Sequence, residues 1–319
     1  MCNCVDNRCR RAGGALAVSG VMPAHPPASH APASPAGRGL RDPVTLLLLA
    51  AASALFLHLA WPRLLAWSLE YVQPDSYYAY GPLVPPVVGL MLWHRRRALR
   101  AAPASPSWAA LGLLLPALAL LVAANKRELI SLASAGVLLC FWSGVWLILG
   151  TRRARAAAFP LGFLVWMAPL PGPLLHDGTY DCQQFSTVAA DRTLHLLTFP
   201  THLSGNVIAL DNFTLFVDVP CSGMKMLLTM LVLGAACAWL TDGPAWRRLG
   251  LFLFSFPLSL AMNVLRLTTL CVVGECLGAN AEHVIHDGSG VMSAGLGLLL
   301  LLLTARGIGC RTFAGWPLP

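Results

Sequence analysis

Leu249-Gly-Leu-Phe-Leu-Phe-Ser-Phe-Pro-Leu-Ser-Leu-Ala-Met-Asn263-Val-Leu-Arg266-Leu-Thr-Thr-Leu270 is the stretch on which the fold turns. Its length matches the roughly 20 residues a helix needs to cross a bilayer. A single charge, Arg266, interrupts it. An intramembrane arginine costs about 2.5–3.5 kcal/mol near a helix centre on insertion scales, and less toward an end, where the side chain reaches the interface. Asn263 lies one helical turn from Arg266, so the two share a face. That face belongs against protein or in a polar pocket, not in lipid. The plainer alternative, a topology or packing charge, has no use for Asn263.

Outward from this run the whole chain reads the same way. It is 56% apolar and 11% charged, against about 25% charged residues in soluble domains. A soluble core of this composition would expose large apolar patches. Eight candidate spans lie at about 43–61, 77–94, 107–124, 129–150, 157–172, 222–240, 249–270 and 290–305. The fifth is short and runs into Pro169, Pro171 and Pro173, which end a helix. The expected fold is therefore an all-α polytopic membrane protein of about eight transmembrane helices in a domain over 43–305. A cytoplasmic C-terminal tail, 306–319, follows it.

Charge sets the orientation. With a cytoplasmic N-terminus, sixteen of the 22 Lys and Arg residues fall on inner segments, among them Arg95–Arg97, Arg152, Arg153, Arg155, Arg247, Arg248, Arg306 and Arg311. This is the positive-inside pattern. Lys126-Arg127 in a short outer turn is the exception, partly offset by Glu128. The net charge of +8 thus marks topology, and no basic-aromatic stripe points to nucleic acid. The long segment 173–220 is then expected outside.

Residues 1–42 are rich in Pro, Ala, Ser and Gly, cannot bury enough surface to order, and are expected to be a disordered cytoplasmic tail. They contain no apolar core of the kind a signal peptide has, and Met22 is an alternative start. The extracytoplasmic insertion 173–220 reads as a helix near 179–198, then a strand-like run Asn206–Asp218 with a hairpin turn at Asp211-Asn212. The ten cysteines include no Cys-x-x-Cys pair, so no zinc site or other cofactor is called for. Cys182 and Cys276 are a candidate disulfide for an oxidising compartment.

Three polar sites break the apolar second half: Pro220-Cys221-Ser222-Gly223, Asn263-x-x-Arg266, and His283-x-x-His286-Asp287-Gly-Ser-Gly290. From Cys221 the chain runs inward, turns at 241–248 and climbs back. Leu249 to Arg266 is about 25 Å of helix, which returns Arg266 to the depth of Cys221. His286 follows just above the last span. A thiol, a guanidinium and an imidazole therefore meet at the outer boundary.

That trio suits nucleophilic catalysis. A free thiol is mostly protonated at neutral pH and needs a base or a nearby cation. His286 can take its proton and return it to a leaving amine. Arg266 is always charged and stabilises a thiolate or an oxyanion. Cys221 also opens a helix whose N–H groups and dipole favour a thiolate. Ser222 is a nucleophile in principle but lacks a distinct base, and Gly223 allows close approach of a substrate backbone. Asn263, Asp287 and Gly290 support the three. His283 is the rival base, and Asp287 with two glycines ahead of the last span favours His286.

These motifs resemble the exosortase/archaeosortase family of membrane cysteine transpeptidases. Cys221-Ser-Gly223 resembles its nucleophile motif, Asn263-x-x-Arg266 its arginine motif, and His286-x-x-x-Gly290 its histidine motif. Tyr80-Gly-Pro-Leu-Val-Pro85, Trp93–Arg97, Phe159-Pro160 and Pro169-Leu-Pro171 extend the likeness over about 43–305. Ala79-Tyr80-Gly81 departs from a frequent Ser-His-Gly, and Lys225 from a frequent arginine or apolar residue. The resemblance implies Cys221 as nucleophile, with Arg266 and His286 as partners. It also implies substrates that are secreted proteins with a C-terminal sorting signal: a short motif (Pro-Glu-Pro in bacterial examples), a transmembrane helix and a basic tail. In bacteria such processing accompanies exopolysaccharide production, and the resemblance implies a multi-pass protein of the bacterial inner membrane with its site facing the periplasm.

Three other readings stay open. A transporter would show inverted repeats or several midplane charges, and neither is evident. A membrane acyltransferase would use an outer histidine without needing the cysteine. A polysaccharide-export assembly subunit would need no peptidase chemistry.

Overall fold

The computed structural model describes residues 43–73, 76–103, 105–218 and 221–318, and within these the side chains of all but 43–46, 48, 49, 282–284 and 287. The expected tail, 1–42, lies outside the described residues. Leu47–Pro319 forms one compact unit, and it is mostly helical. Its helices are α1 (Pro43–Val72), α2 (Val84–His94), α3 (Arg96–Ala101), α4 (Leu111–Lys126), α5 (Ile130–Gly162), α6 (Gly172–Leu196), α7 (Met224–Leu240), α8 (Ala245–Leu277) and α9 (Ala279–Gly307).

Among the described residues four helical stretches are long and apolar enough to cross a membrane: Trp108–Lys126, Ile130–Met167, Ala245–Leu277 and Gly288–Gly307. Leu249, Leu253 and Phe256 of α8, and Leu296, Leu299 and Leu303 of α9, stay exposed at helical spacing. Such stripes are a liability in water and the ordinary surface of a bundle in lipid. Two of the other helices are short. With 11 and 17 residues, α2 and α7 are only about 16 and 26 Å long.

The spans expected at 129–150 and 157–172 are joined without a loop. Gly150, at φ 78° and ψ 166°, kinks α5 in mid-course. A Cβ there would stand 1.8 Å from the Ser105 carbonyl oxygen, so only glycine fits. Arg152, Arg153 and Arg155 consequently lie in helix just after the kink, and the Arg153 Nε donates to the Ala102 carbonyl at 2.8 Å.

Close packing rests on small residues, as helix contacts in lipid require. A Cβ on Gly234 of α7 would come within 2.5 Å of Ser255 on α8, and one on Gly297 of α9 within 2.7 Å of Met230 on α7. The helix α7 is the axis of the second half. One side packs with Tyr80, Val84, Val88 and Phe163, the other with Leu251, Leu258 and Leu301 of α8 and α9.

The basic residues gather at one end. The Arg95 guanidinium lies over the Trp239 ring, which also stacks on Phe159. Arg248 donates to the Ala238 and Trp239 carbonyls at 2.6 and 3.1 Å, covering the last turn of α7, where cations are favoured. The expected C-terminal tail holds a hairpin, β4 (Thr312–Phe313) and β5 (Trp316–Pro317). Asp242 Oδ1 accepts the N–H groups of Arg311 and Thr312 at 2.7 and 2.9 Å, fastening this hairpin to the α7–α8 turn.

At the opposite end, α6 leads into an antiparallel sheet of β1 (His202–Ser204), β2 (Val207–Ala209) and β3 (Thr214–Phe216), in that order. Leu210 N–H donates to Phe213 O at 2.8 Å across the Asp211-Asn212 turn. Glu275 of α8 accepts from the Asn212 N–H at 3.0 Å and from its Nδ2 at 2.7 Å. Phe213 packs on Gly274, where a Cβ would meet the ring at 2.5 Å. The sheet is thereby clamped to the end of α8.

Candidate active site

Cys221 lies in the turn that feeds α7. Its N–H donates to the Asp218 carbonyl at 2.9 Å, and Gly223 then takes a left-handed conformation (φ 95°) as the helix cap. The Met224 N–H donates to Ser222 Oγ at 3.4 Å. Pro220 lies outside the described residues. The thiol is buried at 3% exposure among Leu194 of α6, Ile208 and Val217 of the sheet segment, and Leu267 and Leu270 of α8. The sheet is thus a wall of the site.

Two further helices close around it. Asn263 Nδ2 of α8 donates to the Cys221 carbonyl at 3.2 Å. From α9, His286 brings its Nε2 to 3.0 Å from Cys221 Sγ. Arg266, also on α8 and buried, donates through Nε to Ser289 Oγ at 2.8 Å. Ser289 Oγ in turn donates to the His286 carbonyl at 2.8 Å. Three separate stretches of chain therefore converge, with thiol and imidazole in direct contact and the guanidinium tied to the same turn of α9.

Three sequence readings change in the structure. His286 stands just ahead of the last candidate span, Gly288–Gly307, but in helix: α9 starts at Ala279 and runs unbroken through His286-Asp-Gly-Ser-Gly290. His286 and Ser289 are one turn apart on it. The open face of Gly223 is filled by protein and leaves no room there for substrate backbone. A Cβ on it would stand 2.9 Å from Asn263 Nδ2 and 3.0 Å from Ser186 Oγ. Cys182 and Cys276 are separate thiols. Gly290 lines open space. The side chains of Asp287 and of the rival His283 lie outside the described residues.

Ser289 and Ser186 were not among the sequence candidates. Ser289 has a periodic signal, three residues after His286. Ser186 has none, being one polar residue in a polar helix.

Chemically, the contact lets His286 Nε2 accept the thiol proton, while Arg266 supplies a fixed positive charge nearby. Among the described residues no cluster of three His, Cys, Asp or Glu side chains gathers to hold a metal ion. An open apolar groove of about 460 Å³ between α6 and α8, lined by Phe185, Leu197, Pro257, Leu260, Val264 and Leu265, contains none of the three residues.

Residues 67–303 match the family model described as transmembrane exosortase. No curated protein and no solved structure matches the chain.

Proposed function

The chain belongs to the transmembrane exosortase family, and from that membership we propose that it is a membrane cysteine transpeptidase or peptidase that cleaves C-terminal sorting signals of secreted proteins. The observation that carries this is the 3.0 Å contact between Cys221 Sγ and His286 Nε2, made by residues 65 positions apart and backed by Arg266 through Ser289.

In the proposed cycle His286 Nε2 takes the Cys221 proton as the sulfur attacks the scissile carbonyl. A C–S bond forms and the carbonyl oxygen becomes an oxyanion. The candidates to stabilise it are Arg266 and the N–H groups at the start of α7, a helix end with no intrahelical partners for them. Collapse breaks the C–N bond, and His286 returns its proton to the leaving amine. The thioester is then attacked by an acceptor amine or by water, which gives its proton to His286 and restores the thiol.

The substrate class follows the family: a motif such as Pro-Glu-Pro, a transmembrane helix and a basic tail. Eight crossings, with the site outside and the Trp239 end inside, agree with the gathering of arginines at that end. In this topology Cys221 meets a bond just outside a substrate helix at the periplasmic face of a bacterial inner membrane.

The test is co-expression of such a substrate with the wild type and with Cys221→Ala, Arg266→Ala and His286→Ala, all checked for membrane insertion. Processing is expected only with the wild type. A Cys221→Ala protein that still processes substrate removes the mechanism and leaves an assembly or transport role.

A further inference from the structure

Behind the nucleophile turn two buried polar side chains, Ser186 and Asn263, meet at Gly223. Ser186 of α6 is fully buried and Asn263 is 1% exposed. Neither Ser186 Oγ nor Asn263 Oδ1 has a hydrogen-bond partner among the described residues. Both side chains converge on Gly223, where a Cβ would lie 3.0 Å from Ser186 Oγ and 2.9 Å from Asn263 Nδ2.

Buried hydroxyls in helices normally bond back to their own backbone. On α6 itself, Thr179, Thr187 and Thr193 do so, to Leu175, Gln183 and Ala189. Ser186 does not, so its hydroxyl is directed away from its helix. An orphaned buried hydroxyl and an orphaned amide oxygen are each destabilising, and a single bridging water removes both penalties. Asn263 has its other atom engaged, donating from Nδ2 to the Cys221 carbonyl. Whatever holds Oδ1 therefore orients Nδ2, and with it the Cys221 backbone.

We infer that Ser186 is a positioning residue for the nucleophile, acting through one buried water on the Asn263 carboxamide and so tying the extracytoplasmic helix α6 to the Cys221–Gly223 turn. The inference rests on Cys221 being the nucleophile. The absence of a side chain at Gly223 is what allows the Ser186 and Asn263 side chains to approach the turn this closely.

The experiment measures alkylation of Cys221 by iodoacetamide against pH in the full-length protein in nanodiscs. The Cys221 peptide is followed by mass spectrometry, with exposed Cys276 as internal control. Ser186→Ala and Asn263→Ala should each slow the pH-dependent reaction of Cys221 about tenfold, the effect of one lost buried hydrogen bond. The double variant should be no slower than either single one, because the two act as a unit. Unchanged reactivity in Ser186→Ala, or additive losses, overturns the inference. A Cys221 reaction that His286→Ala leaves unchanged refutes the nucleophile reading instead. A structure that resolves waters gives an independent check: one water within reach of both atoms is expected, and a dry gap there refutes the bridge.

Discussion

Arg266 Nε and Ser289 Oγ lie 2.8 Å apart in the buried seam between α8 and α9. Because the same hydroxyl donates to the His286 carbonyl, one serine couples the fixed charge to the turn carrying the proposed base. Ser289→Ala should lower kcat/KM for substrate processing about 10- to 100-fold, since a hydrogen bond to a charged group is worth roughly 1.5–3 kcal/mol. Quantitative processing assays with the purified protein check this. A loss under twofold shows that Arg266 is held some other way.

Arg266→Lys keeps the charge but loses the planar donor fork. If charge alone mattered, this variant would behave as wild type. The expected outcome is activity close to that of Arg266→Ala, read in the same assay with membrane yield as the control.

Gly223→Ala should abolish processing. Its φ of 95° costs an L-residue about 1–2 kcal/mol, and the new methyl presses on Asn263 and Ser186. Insertion should survive, because the change lies outside the helix interiors. Protease-protection mapping distinguishes a misplaced nucleophile from a misfolded protein.

The Gly150 kink is predicted to be indispensable for assembly. Gly150→Ala places a methyl against the Ser105 carbonyl in addition to straining the backbone. Accumulation of the full-length protein in membranes should fall sharply, measured by immunoblot. Normal levels would mean that 130–167 can adopt another path.

Asp242 gives a pH-dependent hairpin. The Thr312 N–H, and then that of Arg311, hold its carboxyl below the usual 3.8 despite an opposing burial effect. The folded value is the depressed one, so the stabilisation is fully present above the unfolded value. It is lost as pH falls through the folded value. Amide exchange over 311–317, corrected for intrinsic rates, should be slow at neutral pH and rise only below about pH 4. Asp242→Asn should exchange faster at neutral pH and lose that acid step.

The polar face of Asn263 and Arg266 was legible because two polar residues one turn apart in an apolar run have few reasons to coexist. The return of Arg266 to the depth of Cys221 followed from helical rise alone. The form of the third element did not follow. Gly288, Ser289 and Gly290 read as helix breakers, yet Ser289 is buried and bonded to the His286 carbonyl, so tertiary contacts hold the helix that local preference disfavours. Gly150 passed for the end of a span because a glycine before arginines looks like a loop, and only the Ser105 carbonyl reveals why that residue is required. The C-terminal hairpin left a faint mark, Ala314-Gly315, whose positive φ values of 52° and 89° make a tight two-residue turn.

The short reach of α7 has a consequence for where catalysis can occur. Seventeen residues extend about 26 Å, less than the roughly 30 Å hydrocarbon layer. Its two ends cannot both clear an unthinned bilayer, and any tilt widens the shortfall. In the proposed topology, with the arginine-capped end at Trp239 among headgroups, the first turn of α7 falls short of the far surface and the Cys221–Gly223 turn that precedes it covers the remaining few ångströms. On the proposed mechanism the scissile bond must be presented at that level, and changing acyl-chain length in reconstituted membranes would raise or lower Cys221 relative to the surface.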